Sequence, residues 1–441
     1  MLNFKNSNYE KNSFKDKLGN HKFRKINVGK IGVLGIILIF GSMCFISNPA
    51  ASNASVSQSV LNITKGGTNA NTLESAQKNL GRTDEINLYE DGIDNEKFPS
   101  SKATYDYISA SLEHKKRFTL GGDRGLISIC YYTADCSQST NWSVAAKVNG
   151  MPDTAFSGYF WGITHGKGQF VAAGTDGEIS GCKDNLDCSQ SANWSVAEII
   201  SGATSWRFVK YGNGQFVVSG TGGVSRCFSE NDCSLASNWS QLVKIPSQSG
   251  TWNELLYTKD VFMAISTNGK ISSCRDTADC GVSENWKTAQ TIAGFPGYGL
   301  ARSENQFISV GNSSSATVCS SKTDCTEANN WTPVISISTT SSDWRPIVYG
   351  NGQFIAAGAK GEVARCYDST NCADAANWSF FTYSEQTSWW DTAAFGNNMF
   401  IIAGAGGKVS TCLASSDCGL RSSWTPVFVT AGNSIFWTSA L

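Results

Sequence analysis

Short apolar runs separated by glycine-rich turns recur along the chain between residues 105 and 441. In the unit that ends at Trp239, the pattern predicts strands around Trp206–Val209, Gln215–Val218 and Gly223–Ser225, with a fourth strand beginning at Trp239. Gly-Asn-Gly and Gly-x-x-Gly segments separate these runs, because tight hairpins need residues that adopt positive φ. The hydrophobic pattern therefore predicts a unit of four short antiparallel strands.

Three landmarks repeat with this unit, once in each copy. They are a cysteine pair with the spacing C-x5-C, a tryptophan six residues after the second cysteine, and a phenylalanine in the predicted second strand. The seven pairs start 45 to 52 residues apart and are Cys130 with Cys136, Cys182 with Cys188, Cys227 with Cys233, Cys274 with Cys280, Cys319 with Cys325, Cys366 with Cys372, and Cys412 with Cys418. The tryptophans are Trp142, Trp194, Trp239, Trp286, Trp331, Trp378 and Trp424, and the phenylalanines are Phe118, Phe170, Phe216, Phe262, Phe307, Phe354 and Phe400. A fixed period of this length is typical of a repeat architecture.

An all-β, seven-bladed β-propeller follows from the repeat, with one four-stranded blade and one C-x5-C disulfide in each unit. A blade of about 40 to 50 residues is apolar on both faces and must stack against neighbours to bury them. A solenoid is the alternative architecture, but it needs polar capping units at both ends, and the repeat shows none. The predicted propeller domain covers residues 105–441.

Closure of the predicted ring is indicated by the aromatic residue that opens the first strand of most units. Ten residues before the phenylalanine stand Phe160, Trp206, Trp252, Gly297, Trp344 and Trp390, whereas the first unit has Ile108 there. One more period reaches Trp437, in a segment with no further strands after it. We therefore expect the C-terminal strand to complete the first blade, which removes an open sheet edge.

The N-terminal residues 1–54 have a different composition from the repeats. They hold eight Lys and Arg against two Asp and Glu, which leaves 27 basic and 34 acidic residues in the rest of the chain. This acidic balance argues against a nucleic-acid-binding surface on the propeller. An apolar stretch at residues 31–46 follows several lysines and arginines and predicts a signal sequence or an N-terminal membrane anchor. Both alternatives place the propeller outside the cytoplasm, as a secreted, cell-surface or periplasmic protein.

Fourteen cysteines in an exported chain are expected to form disulfides, since their constant spacing favours pairing within each unit. For such short loops the chain-entropy model gives about 2 to 2.5 kcal/mol each. Zinc sites normally use C-x2-C spacing, so no metal and no cofactor are predicted. An aspartate precedes most second cysteines, and we interpret it as a turn-capping residue, because one carboxylate per blade cannot complete a calcium site.

The segments CKDNLDCSQSANW, CRDTADCGVSENW and CYDSTNCADAANW resemble the Asp-box, S-x-D-x-G-x-T-W, of the sialidase-like (BNR) propeller repeats. The segment YGNGQFVVSGTGGV resembles the glycine-rich repeats of bacterial exported propellers and of the photosystem II assembly factor. Cysteine replaces the leading serine of the box, the turn is larger, and the box aspartate remains only at Asp184, Asp276 and Asp368. In those families the box is a structural element, so the resemblance implies architecture rather than activity.

Residues 55–104 form a polar linker that precedes the predicted propeller. Within it, LNITKGGTNANTLESAQKNLG (residues 61–81) resembles the KGGTGATT-x-x-x-AR-x-NLG element of phage tail-fibre proteins. Asn69 replaces the usual glycine and Gln77 the usual arginine. The segment predicts a short helix, with Asn71 and Glu74 as a capping box and Gly81 as its end. The resemblance implies a stalk that presents the propeller.

The start of the first strand carries the candidate binding residues. Because alternate strands run in opposite directions, these starts share one mouth of the channel with the variable loops that join successive units, and variable loops on a rigid ring often bind ligands. The candidates are Phe160, Trp161, Trp206, Arg207, Trp252, Trp344, Arg345, Trp390, Asp391 and Trp437. The alternative is that the first-strand aromatics only fill the space between blades. The residues after the aromatics, including Asn253 and Thr438, differ between units, which favours one asymmetric ligand.

Catalysis is not predicted, because the chain has no G-x-S-x-G elbow and only His114 and His165 follow residue 54. The first functional hypothesis is a non-catalytic exported binding module, adhesin-like or lectin-like, whose ligand is a glycan or a protein. An envelope assembly or scaffold factor is the second hypothesis, and a degenerate sialidase-like glycosidase is the third. The predicted partners are that ligand and, through the N-terminal segment alone, a membrane.

Overall fold

A computed structural model describes residues 116–151, 158–202, 204–247, 250–294, 297–340, 342–386, 388–430 and 436–441. The predicted leader, linker, tail-fibre-like helix and Ile108 lie outside these residues. No helix in the described part of the chain has the length and apolar character needed to cross a membrane.

Twenty-seven strands in the described residues form seven antiparallel sheets, which we number as blades I to VII. Blade I contains β1 (Arg117–Gly122), β2 (Leu126–Tyr131), β3 (Ala146–Lys147) and β27 (Trp437–Ala440); blade II contains β4 (Phe160–Gly166), β5 (Gln169–Gly174), β6 (Glu178–Lys183) and β7 (Glu198–Ile199). Blade III contains β8 (Trp206–Gly212), β9 (Gln215–Gly220) and β10 (Gly223–Phe228); blade IV contains β11 (Trp252–Thr258), β12 (Val261–Ser266), β13 (Lys270–Arg275) and β14 (Gln290–Thr291). Blade V contains β15 (Gly297–Arg302), β16 (Gln306–Gly311), β17 (Ser315–Ser320) and β18 (Ile335–Ser336). Blade VI contains β19 (Trp344–Gly350), β20 (Gln353–Gly358), β21 (Glu362–Tyr367) and β22 (Trp378–Thr382); blade VII contains β23 (Trp390–Gly396), β24 (Met399–Gly404), β25 (Lys408–Leu413) and β26 (Phe428–Val429).

The innermost strands make a closed ring around a central channel. Each innermost strand contacts the innermost strand of the next blade, in the cyclic order β27, β4, β8, β11, β15, β19, β23 and back to β27. The predicted seven-bladed propeller is therefore confirmed.

The C-terminal strand completes blade I, as the sequence predicts. Strand β27 pairs antiparallel with β1, so that Ala440 lies opposite Leu120 and Trp437 opposite Gly122. The buried carboxylate of Asp123 accepts a hydrogen bond of 3.0 Å from the backbone N–H of Phe436, at the entry of the strand. These bonds join the two ends of the propeller within one sheet, which satisfies backbone groups that would otherwise form an open edge.

The outermost strands are shorter than predicted. Only β22 begins at the repeated tryptophan, Trp378, while the fourth strand of most other blades is two residues long and starts later. In blade III, single bridges at Trp239 and Val243 replace a regular fourth strand. The tryptophan backbone still pairs with the first cysteine of its unit, as in the bridge between Cys227 and Trp239. Short edges at the rim offer little unpaired backbone to other chains.

Seven disulfides confirm the predicted cysteine pairing, with one bond inside each blade. They join Cys130 to Cys136, Cys182 to Cys188, Cys227 to Cys233, Cys274 to Cys280, Cys319 to Cys325, Cys366 to Cys372, and Cys412 to Cys418. Each bond closes a short loop between the third strand and the repeated tryptophan. The pairing is therefore local in every blade, as the constant spacing indicates.

Two further side chains hold each disulfide loop. The repeated tryptophan closes it, because its indole N–H donates to the backbone carbonyl of the second cysteine in every blade. Before that cysteine, an aspartate, or Asn371 in blade VI, accepts from a backbone N–H two residues later. These side chains therefore cap turns, which is a typical role for Asp and Asn.

In four blades, a glutamine at the start of the second strand forms hydrogen bonds with the neighbouring blade. In blade VI, the amide NH2 of Gln353 donates to the carbonyls of Ala414 and Ser416 in the disulfide loop of blade VII, and its oxygen accepts from the N–H of Cys418. Gln169, Gln215 and Gln306 make the same set of bonds at three other interfaces. At these interfaces the backbone N–H and C=O groups of the loop lose contact with water. The buried glutamine supplies their hydrogen-bond partners instead.

Candidate functional site

Every innermost strand contains a β-bulge immediately after its opening residue. This strand is the first strand of each repeat unit, and in blade I it is β27. In blade III, Trp206 lies opposite Gly220 while Phe208 lies opposite Ser219, so that Arg207 is the extra residue. The register shifts at the same place in the other blades, although in blade VI the shift spans both Arg345 and Pro346. A bulge frees one residue from the strand ladder and redirects its side chain. The residues at the seven bulges are Trp161, Arg207, Asn253, Tyr298, Arg345, Asp391 and Thr438.

These seven residues lie where the first strands begin, at one mouth of the central channel, and we call them the bulge mouth. Two of them are largely buried there: the side chain of Asp391 is 5% exposed, and Thr438 is 5% exposed, with its hydroxyl donating to the carbonyl of Phe160. The channel encloses about 320 Å³ and is lined by innermost-strand residues from all seven blades. Trp161 and Arg345 line it at the bulge mouth, and Val209, Leu256 and Leu300 are among the apolar residues deeper in the wall. A concave, mostly apolar cavity with a few polar groups at its entrance is the usual form of a small-ligand site.

On one side of the bulge mouth, three planar groups form a stack. The ring of Trp161 lies 4.9 Å from that of Tyr159 at an interplanar angle of 28°. The guanidinium carbon of Arg207, from the next blade, lies 4.5 Å from the Trp161 ring centre. Stacking on an aromatic face holds a guanidinium in a defined orientation and contributes about 0.5 to 2 kcal/mol, depending on desolvation. The stack thus fixes one cation at the channel entrance.

On the opposite side, a second arginine is held in a comparable way. The guanidinium carbon of Arg345 lies 3.9 Å from the ring centre of Trp389, and its Nη1 lies 2.5 Å from Oδ1 of Asp391. Burial raises the pKa of Asp391, and the Arg345 charge opposes that rise. Because only 5% of the Asp391 side chain is exposed, removal of Arg345 would leave a carboxylate with little solvation.

The two arginines interact electrostatically across the mouth. Burial lowers the pKa of Arg207, the nearby charge of Arg345 lowers it further, and Tyr298 acts in the opposite direction. Burial also raises the pKa of Tyr159, with contributions from Asp123 and Asp391. Residues from blades II, III, V, VI and VII therefore share one electrostatic environment, although the sequence separates them widely.

The first-strand aromatics that the sequence analysis proposed as binding residues lie in the core. The side chains of Phe160, Trp206, Trp252, Trp344, Trp390 and Trp437 are 0 to 1% exposed. Trp206, for example, packs among Val171, Ile179 and Ile200 of blade II. Packing between blades accounts for these rings, and their contact with a ligand stays a prediction. The accessible candidates are the half-buried bulge residues Trp161, Arg207 and Arg345, whereas the side chain of Asp391 is only 5% exposed and is the ion-pair partner of Arg345.

The structure adds Tyr159, Tyr298 and Trp389 to the candidate site. Tyr159 and Trp389 directly precede the buried aromatics Phe160 and Trp390, and Tyr298 follows Gly297. The sequence does contain a signal for two of them, since Tyr159-Phe160-Trp161 and Trp389-Trp390 are consecutive aromatics. Adjacent strand residues point to opposite faces, so that consecutive aromatics cannot all lie in one core.

Further along the channel, an acidic side chain is buried opposite a lysine. Burial raises the pKa of Glu254 to about 8, and the charge of Lys210 partly opposes this rise. The carboxylate accepts a hydrogen bond of 2.9 Å from the N–H of Leu255. A wall that contains a carboxylic acid with this pKa gains negative charge as the pH rises above neutrality.

The three Asp-box-like aspartates lie near the other end of the channel and position first-strand side chains. Asp184 binds Nε2 of His165 at 2.7 Å, and Asp276 accepts from the Tyr257 hydroxyl at 2.6 Å. Asp368 accepts from the hydroxyl of Tyr349 at 3.4 Å. Within the residues that the structure describes, no group of three or more His, Cys, Asp or Glu side chains has an arrangement that could hold a metal ion.

Comparisons with known proteins give a structural similarity but no family. No protein family and no curated protein matches the chain. Among solved structures, it is similar to the computationally designed Ika8 protein, with a TM-score of 0.45 and 12% identity over 73% of this chain and 93% of that one. The propeller assignment therefore rests on the strand pairing described above.

Proposed function

We propose that this protein is an exported, non-catalytic binding module that holds a glycan at its bulge mouth. The observation that carries the proposal is the set of seven β-bulges, which bring seven side chains of nearly all different types to one channel entrance. An architectural role would demand similar residues in every blade, as it does for the cysteines and the repeated tryptophans. Variation at equivalent positions on a rigid ring, most of them half-buried rather than packed in the core, instead suits recognition of one asymmetric ligand.

Several features support a glycan as the ligand class. The entrance combines aromatic rings with Asn, Tyr and Arg side chains, which donate and accept hydrogen bonds in a partly desolvated setting. The channel volume of about 320 Å³ suits a small chemical group or a short saccharide rather than a folded protein domain. An acidic peptide is the alternative ligand, and the experiment below includes it.

Export is part of the same proposal. Seven disulfides indicate an oxidising environment, and the apolar stretch at residues 31–46 suits a signal sequence or an anchor. The Asp-box-like and tail-fibre-like resemblances favour a propeller that is displayed to the exterior of a cell or particle.

A glycan array probed with the full chain tests this function. We expect binding to a restricted set of glycans and its loss in Trp161→Ala, a substitution at the bulge mouth. Leu186→Ala is the matched control, because Leu186 is 41% exposed in a disulfide loop. Equal loss in both variants, retention in both, or binding to acidic peptides in place of glycans would contradict the proposal.

A further inference from the structure

The bulge mouth contains a cation that no described carboxylate balances. Arg345 is paired with Asp391, whereas Arg207 forms no ion pair within the described ranges, and its Nε is buried without a hydrogen-bond partner. Arg226 and Arg365 show the ordinary arrangement, since each lies over an aromatic ring and binds an aspartate of the next blade. An unsatisfied buried polar group is costly, and in a native protein it calls for a structural or functional reason.

The two arginines of the mouth lie close enough to affect each other. Both occupy the bulge position of their strands at the same entrance. Burial lowers the pKa of Arg207, and the Arg345 charge lowers it further, as expected for two like charges at one entrance. Asp391 and Arg345 neutralise one another, so that the net charge of Arg207, Arg345 and Asp391 together is positive. An anion bound between the two guanidiniums would reduce their repulsion and supply acceptors for the free N–H groups.

The aromatic rings of the bulge mouth already contact other side chains of the protein. Arg207 covers one face of Trp161, Tyr159 stacks on the same ring, and Arg345 covers a face of Trp389. These contacts hold the guanidiniums in place and cover part of the indole surface on which a neutral sugar ring could stack. Recognition at this entrance thus depends more on charge-assisted hydrogen bonds than on stacking.

We infer that the mouth recognises an acidic glycan through an oxyanion group, a carboxylate or a sulfate, held by Arg207 with Arg345. The inference rests on the proposed function and narrows it to one chemical class of glycan. Arg207 is the principal ligand-binding residue because, among the described residues, no hydrogen bond or ion pair occupies its guanidinium. Arg345 contributes through the part of its guanidinium that Asp391 does not use, and the apolar channel wall receives the rest of the saccharide.

Calorimetric titration of the full chain with three disaccharides of equal length provides the test: one with a uronic acid, one with a sulfate and one neutral. We expect at least one acidic disaccharide to bind saturably, more weakly as salt rises, and the neutral one to bind at least tenfold more weakly. Comparison of the two acidic arms distinguishes a carboxylate from a sulfate as the recognised group.

Variants connect that binding to Arg207. Arg207→Leu should weaken the acidic disaccharide about tenfold or more, as expected for loss of a charge-assisted hydrogen bond, and Arg207→Lys should restore part of the affinity. Arg226→Leu is the control, because Arg226 is also stacked on a ring but is paired with Asp279. Thermal melting of each variant verifies that it is folded.

The outcomes that contradict the inference are distinguishable. An unchanged affinity in folded Arg207→Leu, equal binding of the neutral disaccharide, or no saturable binding of either acidic disaccharide would overturn the inference. Glycan binding that Trp161→Ala abolishes and Arg207→Leu leaves intact would overturn it while the proposed function stands. If the array shows no glycan binding at all, the proposed function fails as well.

Discussion

The two ends of the central channel differ in how their residues repeat. At the end where the first and second strands meet, the C-x5-C loops form what we call the disulfide face, and the same indole and turn-capping bonds recur in every blade. At the bulge mouth, the backbone repeats equally well, with a bulge in each first strand, but nearly every side chain is different. The same backbone geometry therefore recurs in every blade even where the side chains differ.

The physical reason lies in what each end must satisfy. A disulfide loop inserts against the neighbouring blade, where its backbone N–H and C=O groups lose water and need fixed partners such as Gln353. A bulge residue is released from the regular ladder at the channel entrance, so that no bond common to all the blades fixes its side-chain type. Architecture thus restricts the disulfide face, and the bulge mouth is open to functional variation.

The largest predicted effect concerns Trp437, a buried aromatic beside the bulge mouth in the strand that closes the ring. Trp437→Ala should lower the free energy of unfolding by about 3 to 5 kcal/mol, because it leaves a cavity between blades VII and I. Deletion of residues 436–441 should cost more, since it exposes the edge of β1. Denaturant unfolding measures both effects.

Asn253→Ala is the control for this comparison, since Asn253 occupies a bulge and should change stability by less than about 0.5 kcal/mol. If the shortened chain unfolds like the parent, the C-terminal strand does not close the ring. If Asn253→Ala destabilises as much as Trp437→Ala, the distinction between architectural and variable positions is wrong.

An intermediate effect is expected at the glutamine that joins blades VI and VII. Gln353→Ala removes the partners of two carbonyls and one N–H in the disulfide loop of blade VII, and should cost about 2 to 3 kcal/mol. Gln138→Ala makes the same substitution at an exposed glutamine on the same face and should have almost no effect. Equal stability of the two variants in urea would refute a role for Gln353 in joining the blades.

The smallest predicted effect is pH-dependent and lies within the channel, between the two ends. The folded-state pKa of Glu254, about 8, is above its ordinary value, so the protein loses stability as the pH rises from the ordinary value through the folded one. Glu254→Gln should therefore unfold like the parent near pH 4.5 and be about 1 to 2 kcal/mol more stable near pH 6. Melting curves at both pH values, with Glu284→Gln at an exposed position as the control, measure this difference. A variant whose advantage does not grow with pH would show that Glu254 is already charged at low pH.

Part of the candidate site is predictable from the sequence. Trp161, Arg207, Arg345 and Asp391 were among the predicted binding residues because they vary where the rest of the unit repeats, and the structure places all four at the bulge mouth. The sequence pattern does not separate the buried Trp206 and its equivalents from these residues, because a strand pattern alone does not state which of two adjacent residues faces the core. The stacks that Tyr159 and Trp389 form with the arginines depend on contacts with neighbouring blades.

The sequence by itself determined the number of blades, the pairing of the cysteines and the strand that closes the ring. Each of these follows from local spacing or from a period that every unit repeats, and therefore needs no knowledge of distant contacts. The tertiary structure alone decided where the first strands bulge, which loop each glutamine binds, and that Arg207 and Arg345 share one entrance although 138 residues separate them. These features arise from the twist and curvature of strands around a common axis and from contacts between blades, neither of which a linear pattern encodes.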